Sequence, residues 1–316
     1  LVKLADIQQA RDTIYDVVKE TPILHSSQLS ALCDNNLFLK GEHVQTTGSF
    51  KIRGATNKVQ QVVEDGASSV TAASSGNHGQ AVAYIANQLG VPATIVVPED
   101  ATTSKLNAIR TYQAKIETCG TTSAERIPRA KELAHKTNGV FIPPYDDPLI
   151  MAGQGTVGLE ILGQLKDVDV VVVPVGGGGL ISGILTAIKE TDPRIKVIGV
   201  EPELGNDTYL SLQKNKITSI TSSTTIADGL RTTQPGSLTF PVVQRYLDEL
   251  VLVKENEIKN AMYMVMERMK QVIEPSSAVT VAAAMNGKLG ITGKNVCCVA
   301  SGGNIDLVKL GSLFTE

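Results

Sequence analysis

The chain is 316 residues long, 42% apolar, 19% charged and 4% aromatic, with 29 basic residues against 32 acidic ones and a formal charge of −3. That length provides a core well beyond a minimal domain, so one large α/β unit or two domains sharing a cleft is expected, folding without staples. Scattered lysines and arginines, an acidic balance and no Trp exclude a phosphate-neutralising stripe and a base-stacking platform, and no apolar run approaches the roughly 20 residues that span a bilayer, so neither nucleic acid nor membrane is an expected partner.

Residues 1–6 lack the basic start and apolar stretch of a secretory signal, which makes a cytoplasmic location the expectation. Helical spacing of apolar residues over 7–18 predicts an opening helix that stops near Thr21-Pro22, followed by a strand over 36–40. Short β-type runs over 69–73, 93–97, 170–175, 197–200 and 295–300 are then separated by helix-length segments. That alternation predicts a doubly wound α/β fold: open, twisted, mostly parallel sheets with helices on both faces. Ligands in such folds sit outside the carboxyl ends of the strands, so the loops after the strands are where chemistry is expected.

No repeat or long polar linker is present, so a second domain must be interleaved. The turn-rich stretch 142–148 is one boundary, and the helix after Lys51 holds the other crossing. This divides the chain into a large domain of residues 1–55 and 147–316 and a small mobile domain of residues 56–146 closing over the cleft. Cys33, Cys119, Cys297 and Cys298 have no metal-ligand spacing and read as reduced core residues, the adjacent pair pointing to opposite faces of a strand.

Four loops stand out. Gly176-Gly177-Gly178-Gly179 follows an apolar strand and opens a helix, so main-chain amides and the helix dipole can converge on a phosphate. No Lys and Ser/Thr follow in the Walker arrangement. Ser74-Ser75-Gly76-Asn77-His78-Gly79 places hydroxyls and an amide at another helix start, which suits a substrate carboxylate. Lys51 lies among small and apolar residues, where desolvation lowers an amine's pKa and readies it to attack a carbonyl. Ser301-Gly302-Gly303-Asn304 ends the last strand. Gly153-Gln154-Gly155-Thr156-Val157-Gly158 matches a dinucleotide fingerprint, but it follows a Pro/Asp loop and reads as the inside of a helix, so its glycines are assigned to close helix packing.

A lysine nucleophile, a phosphate cradle and a carboxylate-binding helix start together specify a small phosphate-bearing carbonyl cofactor acting on an amino acid, a description that pyridoxal phosphate fits. The chain resembles the fold type II pyridoxal-phosphate enzymes, in particular serine/threonine dehydratases and serine racemases. The resemblance runs through residues 48–55, 74–80, Gly176 to Gly179, Ala227-Asp228-Gly229 and Ser301 to Asn304. It implies that Lys51 forms the Schiff base and acts as base on one face of the substrate Cα, while Phe50 packs on the cofactor ring. Asn77 would bond the ring hydroxyl, Gly176 to Gly179 would hold the phosphate, and Ser301 would face the pyridine nitrogen. Ser74, Ser75, Asn77, His78 and Gly79 would surround the substrate carboxylate, with Ser75 as acid/base on the face opposite Lys51. His25, His43 and His135 read as surface residues.

The resemblance also implies a Mg²⁺, Mn²⁺ or Ca²⁺ site at Glu201, the Gly205 carbonyl and Asp207, in keeping with the oxygen ligands such cations prefer. The implied reaction is dehydration and deamination of L-threonine to 2-oxobutanoate, or of L-serine to pyruvate, with release of ammonia. Serine racemisation and 3-hydroxyaspartate dehydration share this apparatus, and Arg126 would read the second carboxylate of hydroxyaspartate. Tyr145, in the boundary loop, would shape the same pocket. Relatives are commonly homodimers, and some respond to nucleotides, a site that nothing in this sequence marks. Twelve residues follow Asn304, so the regulatory domain of biosynthetic threonine dehydratases, and isoleucine feedback with it, is not expected. Met262, Met264, Met266 and Met269 read as helix packing.

Overall fold

In a computed structural model that describes residues 1–314, every run read as a strand pairs in a sheet. The strands are β1 (Ile23–His25), β2 (Asn36–Gly41), β3 (Val70–Ala73), β4 (Ala93–Val97), β5 (Lys115–Thr118), β6 (Val140–Phe141), β7 (Val170–Pro174), β8 (Lys196–Pro202), β9 (Glu249–Val253) and β10 (Asn295–Ala300). The helices are α1 (Leu4–Ile14), α2 (Ser27–Cys33), α3 (Lys51–Glu64), α4 (Asn77–Gln88), α5 (Thr103–Thr111), α6 (Ser123–Lys136), α7 (Pro148–Gln164), α8 (Gly179–Lys189), α9 (Asp207–Gln213), α10 (Thr239–Tyr246), α11 (Glu255–Met264), α12 (Pro275–Met285) and α13 (Leu307–Leu310). Sequence reading missed β1, β5, β6 and β9, which are short or half-buried and carry no long apolar run. The opening helix ends at Ile14 rather than at residue 18, and residues 15–17 continue only as a turn in which Val17 bonds the Ile14 carbonyl at 3.0 Å.

Six strands form one sheet in the order β1-β2-β10-β7-β8-β9, parallel apart from β1, and four form a second, parallel sheet in the order β5-β4-β3-β6. The order places β10 between β2 and β7, so the loops leaving those three strands meet at one edge. Side chains alternate across the larger sheet. Val170 and Val172 pack with α12 residues such as Val279 and Ala282, whereas Val171 and Val173 pack with Ile7 of α1, Val157 of α7 and Ile184 of α8. Cys298 and Cys297 fall into these two separate cores, as their adjacency requires. All four cysteines are free, but Cys33 and Cys119 are half-buried rather than core, the latter in the turn after β5. Of the methionines read as helix packing, Met262 is in the core and Met264 and Met269 pack against it.

The smaller sheet builds its core from Val70, Ile95 and Val97 against Ile52, Val59 and Val62 of α3 and Ile85 of α4, with Ile150 of α7 joining them. Helix α7 begins sharply because Pro148 follows Asp147, whose carboxylate accepts the amides of Leu149 and Ile150 at 2.9 and 3.2 Å. Its glycines form a packing seam, as the sequence predicts. A β carbon at Gly153 would lie 2.6 Å from the Cα of Gly54 in α3, and one at Gly155 would lie 2.9 Å from the Gly183 carbonyl of α8. No helix of the described residues is long and apolar enough to cross a membrane.

Beside this seam lies a buried ionic network. The Arg53 guanidinium donates Nε and Nη2 to the two oxygens of Glu42 (2.9 and 2.7 Å) and Nη1 and Nη2 to those of Glu160 (2.6 and 2.9 Å). Lys40 Nζ completes it, donating to Glu160 Oε2 at 2.6 Å and to the Thr21 carbonyl at 2.7 Å. Arg53, Glu42 and Lys40 side chains are fully enclosed. Burial alone would raise the Glu42 pKa, but the Arg53 charge and hydrogen bonds, with help from Thr21 and Lys40, hold it below the usual value. Two positive and two negative groups therefore fasten both flanks of Lys51 to α7.

Candidate active site

Three loops of the larger sheet and one of the smaller sheet converge. Before Lys51 the chain makes a tight turn in which Thr47 and Gly48 have φ of +64° and +77°. Only glycine fits at residue 48, because a β carbon there would strike the Asn304 side chain. The Phe50 amide then donates to the Ser301 carbonyl at 3.0 Å, and Ser49 bridges Gly302, so the lysine loop and the loop after β10 are sewn together. Lys51 opens α3, and its Nζ donates to the Pro144 carbonyl at 2.7 Å and sits 5.3 Å from the centre of the Phe50 ring. Burial lowers its pKa to about 8, opposed by the charge of Glu274.

The four glycines leave β7 with the helix cap Gly178 at φ +93°. Side chains are excluded on both sides of this loop: a β carbon at Gly177 would enter the Tyr145 ring, and one at Gly178 would lie 2.7 Å from Thr239 Oγ1. Thr239 Oγ1 donates to the Gly177 carbonyl at 2.7 Å and fixes the loop. Asp146 accepts from the amides of Ser237 and Leu238 at 3.0 and 2.8 Å, which ties the Tyr145 loop to the same place.

Helix α4 starts at Asn77 with its first-turn amides of Asn77, His78 and Gly79 outside the internal ladder, which resumes with Gln80 bonding the Gly76 carbonyl at 3.1 Å. Gly79 is obligatory, since a β carbon would collide with the Ser74 carbonyl. Ser74 Oγ accepts from the Gly76 amide at 3.2 Å, and Ser75 is half-buried beside it. His78, by contrast, is buried and spent on structure: its Nε2 bonds the Ile142 carbonyl at 2.8 Å. Burial, then the nearby Lys51 charge, lowers its pKa to about 3, so the ring is neutral and anchors α4 to the boundary loop.

Ser301 is buried at the end of β10, with its Oγ 3.2 Å from Ser277 Oγ. Ser277, unflagged by the sequence, both accepts the Gly302 amide and donates to the Gly302 carbonyl at 2.6 Å. The most consequential residue missed by sequence reading is Glu274. It is buried in the site and accepts from Asn77 Nδ2 at 2.8 Å and from the Asn304 amide at 3.0 Å. Burial raises its pKa to about 8, with the charge of Asp228 adding to the shift. In sequence an acid before Pro275 reads as an ordinary helix entry, and nothing local marks it.

Glu201, near the end of β8, and Gly205 and Asp207, which follow it, are all buried, and Asp207 is close enough to act on Glu201 electrostatically. Glu201 accepts the amides of Thr208 and Tyr209 at 3.0 and 2.8 Å, and Asp207 accepts from Thr232 Oγ1 at 3.2 Å. Burial raises both carboxyl groups, Asp207 to about 7, and Asp207's charge adds to the shift on Glu201. Among the described residues no cluster of three His, Cys, Asp or Glu side chains has metal-binding geometry. Arg126 lies on α6 near Asp100 and Cys119, at the carboxyl ends of β4 and β5, and donates Nη2 to Ser123 Oγ at 3.3 Å. Its Nε and Nη1 are sheltered without a partner. The surface assignment holds for His25 and His135 but not for His43, which is buried with Nε2 2.8 Å from Gln271 Oε1 because the turn after β2 folds inward.

A profile of the family described as pyridoxal-phosphate dependent enzyme matches residues 14–302. The chain is 46% identical to the L-threonine ammonia-lyase of Thermotoga maritima over all of this chain and 79% of that protein. It is 42% identical to the catabolic L-threonine dehydratase of Staphylococcus aureus over 99% of this chain and 92% of that one. Among solved structures, maize serine racemase superposes with a TM-score of 0.95 at 36% identity, covering 98% of this chain and 96% of that chain.

Proposed function

Because the chain belongs to the pyridoxal-phosphate dependent enzymes, we propose that it converts L-threonine to 2-oxobutanoate and ammonia, and L-serine to pyruvate and ammonia. The observation that carries this reading is the convergence at one sheet edge of Lys51, the glycine loop, Ser301 and the open start of α4. The relatives named for threonine supply the substrate class.

The residues fit the cofactor. A loop from which β carbons are excluded leaves main-chain amides at a helix start for a phosphate, and Lys51 offers an amine whose pKa is already lowered. Lys51 would hold the cofactor's carbonyl carbon, with Phe50 on the ring, Asn77 at the ring hydroxyl and Ser301 at the pyridine nitrogen. When bound, pyridoxal phosphate supplies an electron sink that acidifies the Cα hydrogen of an attached amino acid. The α4 amides, with Ser74 and Ser75, orient the substrate carboxylate. Lys51 accepts the Cα proton as a neutral amine, a form accessible near neutral pH for a pKa of about 8. A serine hydroxyl facing the ring nitrogen cannot keep it protonated as an aspartate would. Ser301 at that nitrogen would therefore suit reactions in which the β-hydroxyl leaves with, or just after, the Cα proton. Water is lost, and the released unsaturated amine takes water back to give 2-oxo acid and ammonia.

Residues 56–146 belong to this reading as a small domain that closes the cleft. In its support, Lys105 of α5 pairs with Asp228 at 2.8 Å and Ser104 donates to Asp306 at 3.2 Å, exposed contacts weak enough to open and re-form. A divalent cation at Glu201, the Gly205 carbonyl and Asp207 also belongs to it, since two buried carboxyl groups, each raised by burial and Glu201 further by the charge of Asp207, gain from a shared positive charge. Pairing of two copies completes it.

Two specific observations favour neighbouring reactions. The likeness to maize serine racemase favours racemisation, with Ser75 exchanging the proton opposite Lys51. The two sheltered, unpartnered nitrogens of Arg126 favour a substrate with a second carboxylate, such as 3-hydroxyaspartate. The test is 2-oxo acid release from L-threonine, L-serine and L-threo-3-hydroxyaspartate, with Mg²⁺ and with chelator. Preference for threonine or serine supports the proposal. Preference for hydroxyaspartate, or release from none of them with interconversion of serine enantiomers, replaces it.

A further inference from the structure

The side-chain amide of Asn77 is gripped at both ends. Its Nδ2 donates to Glu274 Oε1 at 2.8 Å, and its Oδ1 accepts from Asn304 Nδ2 at 2.8 Å. Asn304 closes the ring by donating its main-chain N–H to Glu274 Oε2 at 3.0 Å, and its Nδ2 also reaches the Thr47 carbonyl at 2.7 Å. Glu274 is itself held in place, its amide bonding the Gly302 carbonyl at 3.1 Å, and the glycine at 302 is what lets its carboxyl group lie there, since a β carbon at that position would lie 2.9 Å from Glu274 Oε1.

This wiring permits one orientation of Asn77. Asn304 Nδ2 only donates and is held by the Thr47 carbonyl, so the Asn77 atom that faces it must be the acceptor Oδ1, which leaves Nδ2 to face Glu274 Oε1. Rotating the Asn77 amide by half a turn would set its nitrogen against the Asn304 nitrogen and its oxygen against Glu274 Oε1, so both hydrogen bonds would be lost. In the observed orientation Oδ1 is occupied and one of the two Nδ2 hydrogens is used. The one donor that remains for a ligand is the second Nδ2 hydrogen.

We propose that Glu274 and Asn304 are positioning residues that lock Asn77 with a hydrogen-bond donor facing the cofactor, so that the ring oxygen is held in its anionic form. The inference rests on the cofactor reading above and extends it to two residues outside the phosphate and lysine contacts. It also accounts for Asn304 spanning the lysine loop and α4: one side chain sets the register of the lysine's loop and of the residue that meets the ring.

Glu274→Gln tests it without changing size. Glutamine has one acceptor oxygen where the carboxylate has two, so it can serve Asn77 or the Asn304 amide but not both, and its NH₂ then faces a donor. Leaving one of these two donors without its acceptor corresponds to roughly a 10- to 100-fold weaker equilibrium. Purified apoprotein is titrated with pyridoxal phosphate and followed by visible absorbance, with folding checked by circular dichroism. The expected result is a dissociation constant raised about 10- to 100-fold and a bound-cofactor band moved to shorter wavelength, as the ring oxygen takes a proton. Asn304→Ala should shift the band the same way, and it decides alone should Glu274→Gln not fold. Wild-type affinity and an unmoved band in both variants would overturn the proposal, and so would weaker affinity with an unmoved band, which a merely structural role would give. If the wild-type protein itself takes up no pyridoxal phosphate, the fault lies with the cofactor reading and the inference falls with it.

Discussion

Arg53→Met tests whether the buried ionic network holds the lysine loop. The substitution keeps most of the side-chain volume and removes four charge-assisted hydrogen bonds, two to each of Glu42 and Glu160. Glu160 keeps Lys40 at 2.6 Å, but Glu42 is left as a fully enclosed carboxylate without its bidentate partner. Breaking a buried pair in this way costs about 3–5 kcal/mol. With an unfolding entropy of about 2.1 cal/mol/K per residue over 316 residues, that corresponds to a melting temperature lower by roughly 5–7 °C. Urea denaturation of the apoprotein measures the loss directly. Combining Arg53→Met with Glu42→Leu leaves Lys40 and Glu160 as a balanced pair, so most of the loss should return, to within about 1–2 kcal/mol of wild type. A single variant that loses less than about 1 kcal/mol, or a double variant as unstable as the single, would refute the argument.

Three further outcomes are expected. Between pH 6.5 and about 3 the unfolded chain protonates at His78 while the folded chain, with its pKa held near 3, does not, so stability is lost as pH falls through that window, by up to roughly 5 kcal/mol. His78→Gln keeps a donor for the Ile142 carbonyl and should flatten the acid limb between pH 7 and pH 4 in urea titrations; an unchanged slope would contradict the assignment. Gly153→Ala forces α3 and α7 apart at a backbone contact of 2.6 Å, with an expected cost of about 1–3 kcal/mol and weaker cofactor binding, because α3 carries Lys51. Asp207→Asn should abolish any rise in activity or melting temperature on adding Mg²⁺, and an undiminished Mg²⁺ response would remove that residue from the cation reading.

The sheets were legible because parallel strands buried on both faces leave dense Val and Ile runs, as at β7 and β10, and glycine clusters mark the loops that follow. The same logic explains the correct dismissal of the fingerprint-like sequence in α7, whose glycines face helices rather than a ligand. Short edge strands such as β5 and β6 escaped because two to four half-buried residues impose no pattern. Within the site, Lys51, Asn77, Ser301 and the glycine loop announce themselves by residue type at strand ends. Glu274, Ser277 and Thr239 do not, since each acts through a long-range hydrogen bond to a loop far away in sequence. His43 shows the converse error: a histidine's burial and partner are set by tertiary packing, which local sequence does not encode.

The most direct measurement of the account compares wild type with Lys51→Ala, adding pyridoxal phosphate and then L-threonine while recording the visible absorbance of the cofactor and the release of 2-oxobutanoate. The account predicts a protein-bound band and steady product from wild type, and neither from Lys51→Ala under matched conditions with folding intact. A Lys51→Ala protein that retains the band and turns over L-threonine at the wild-type rate would contradict it.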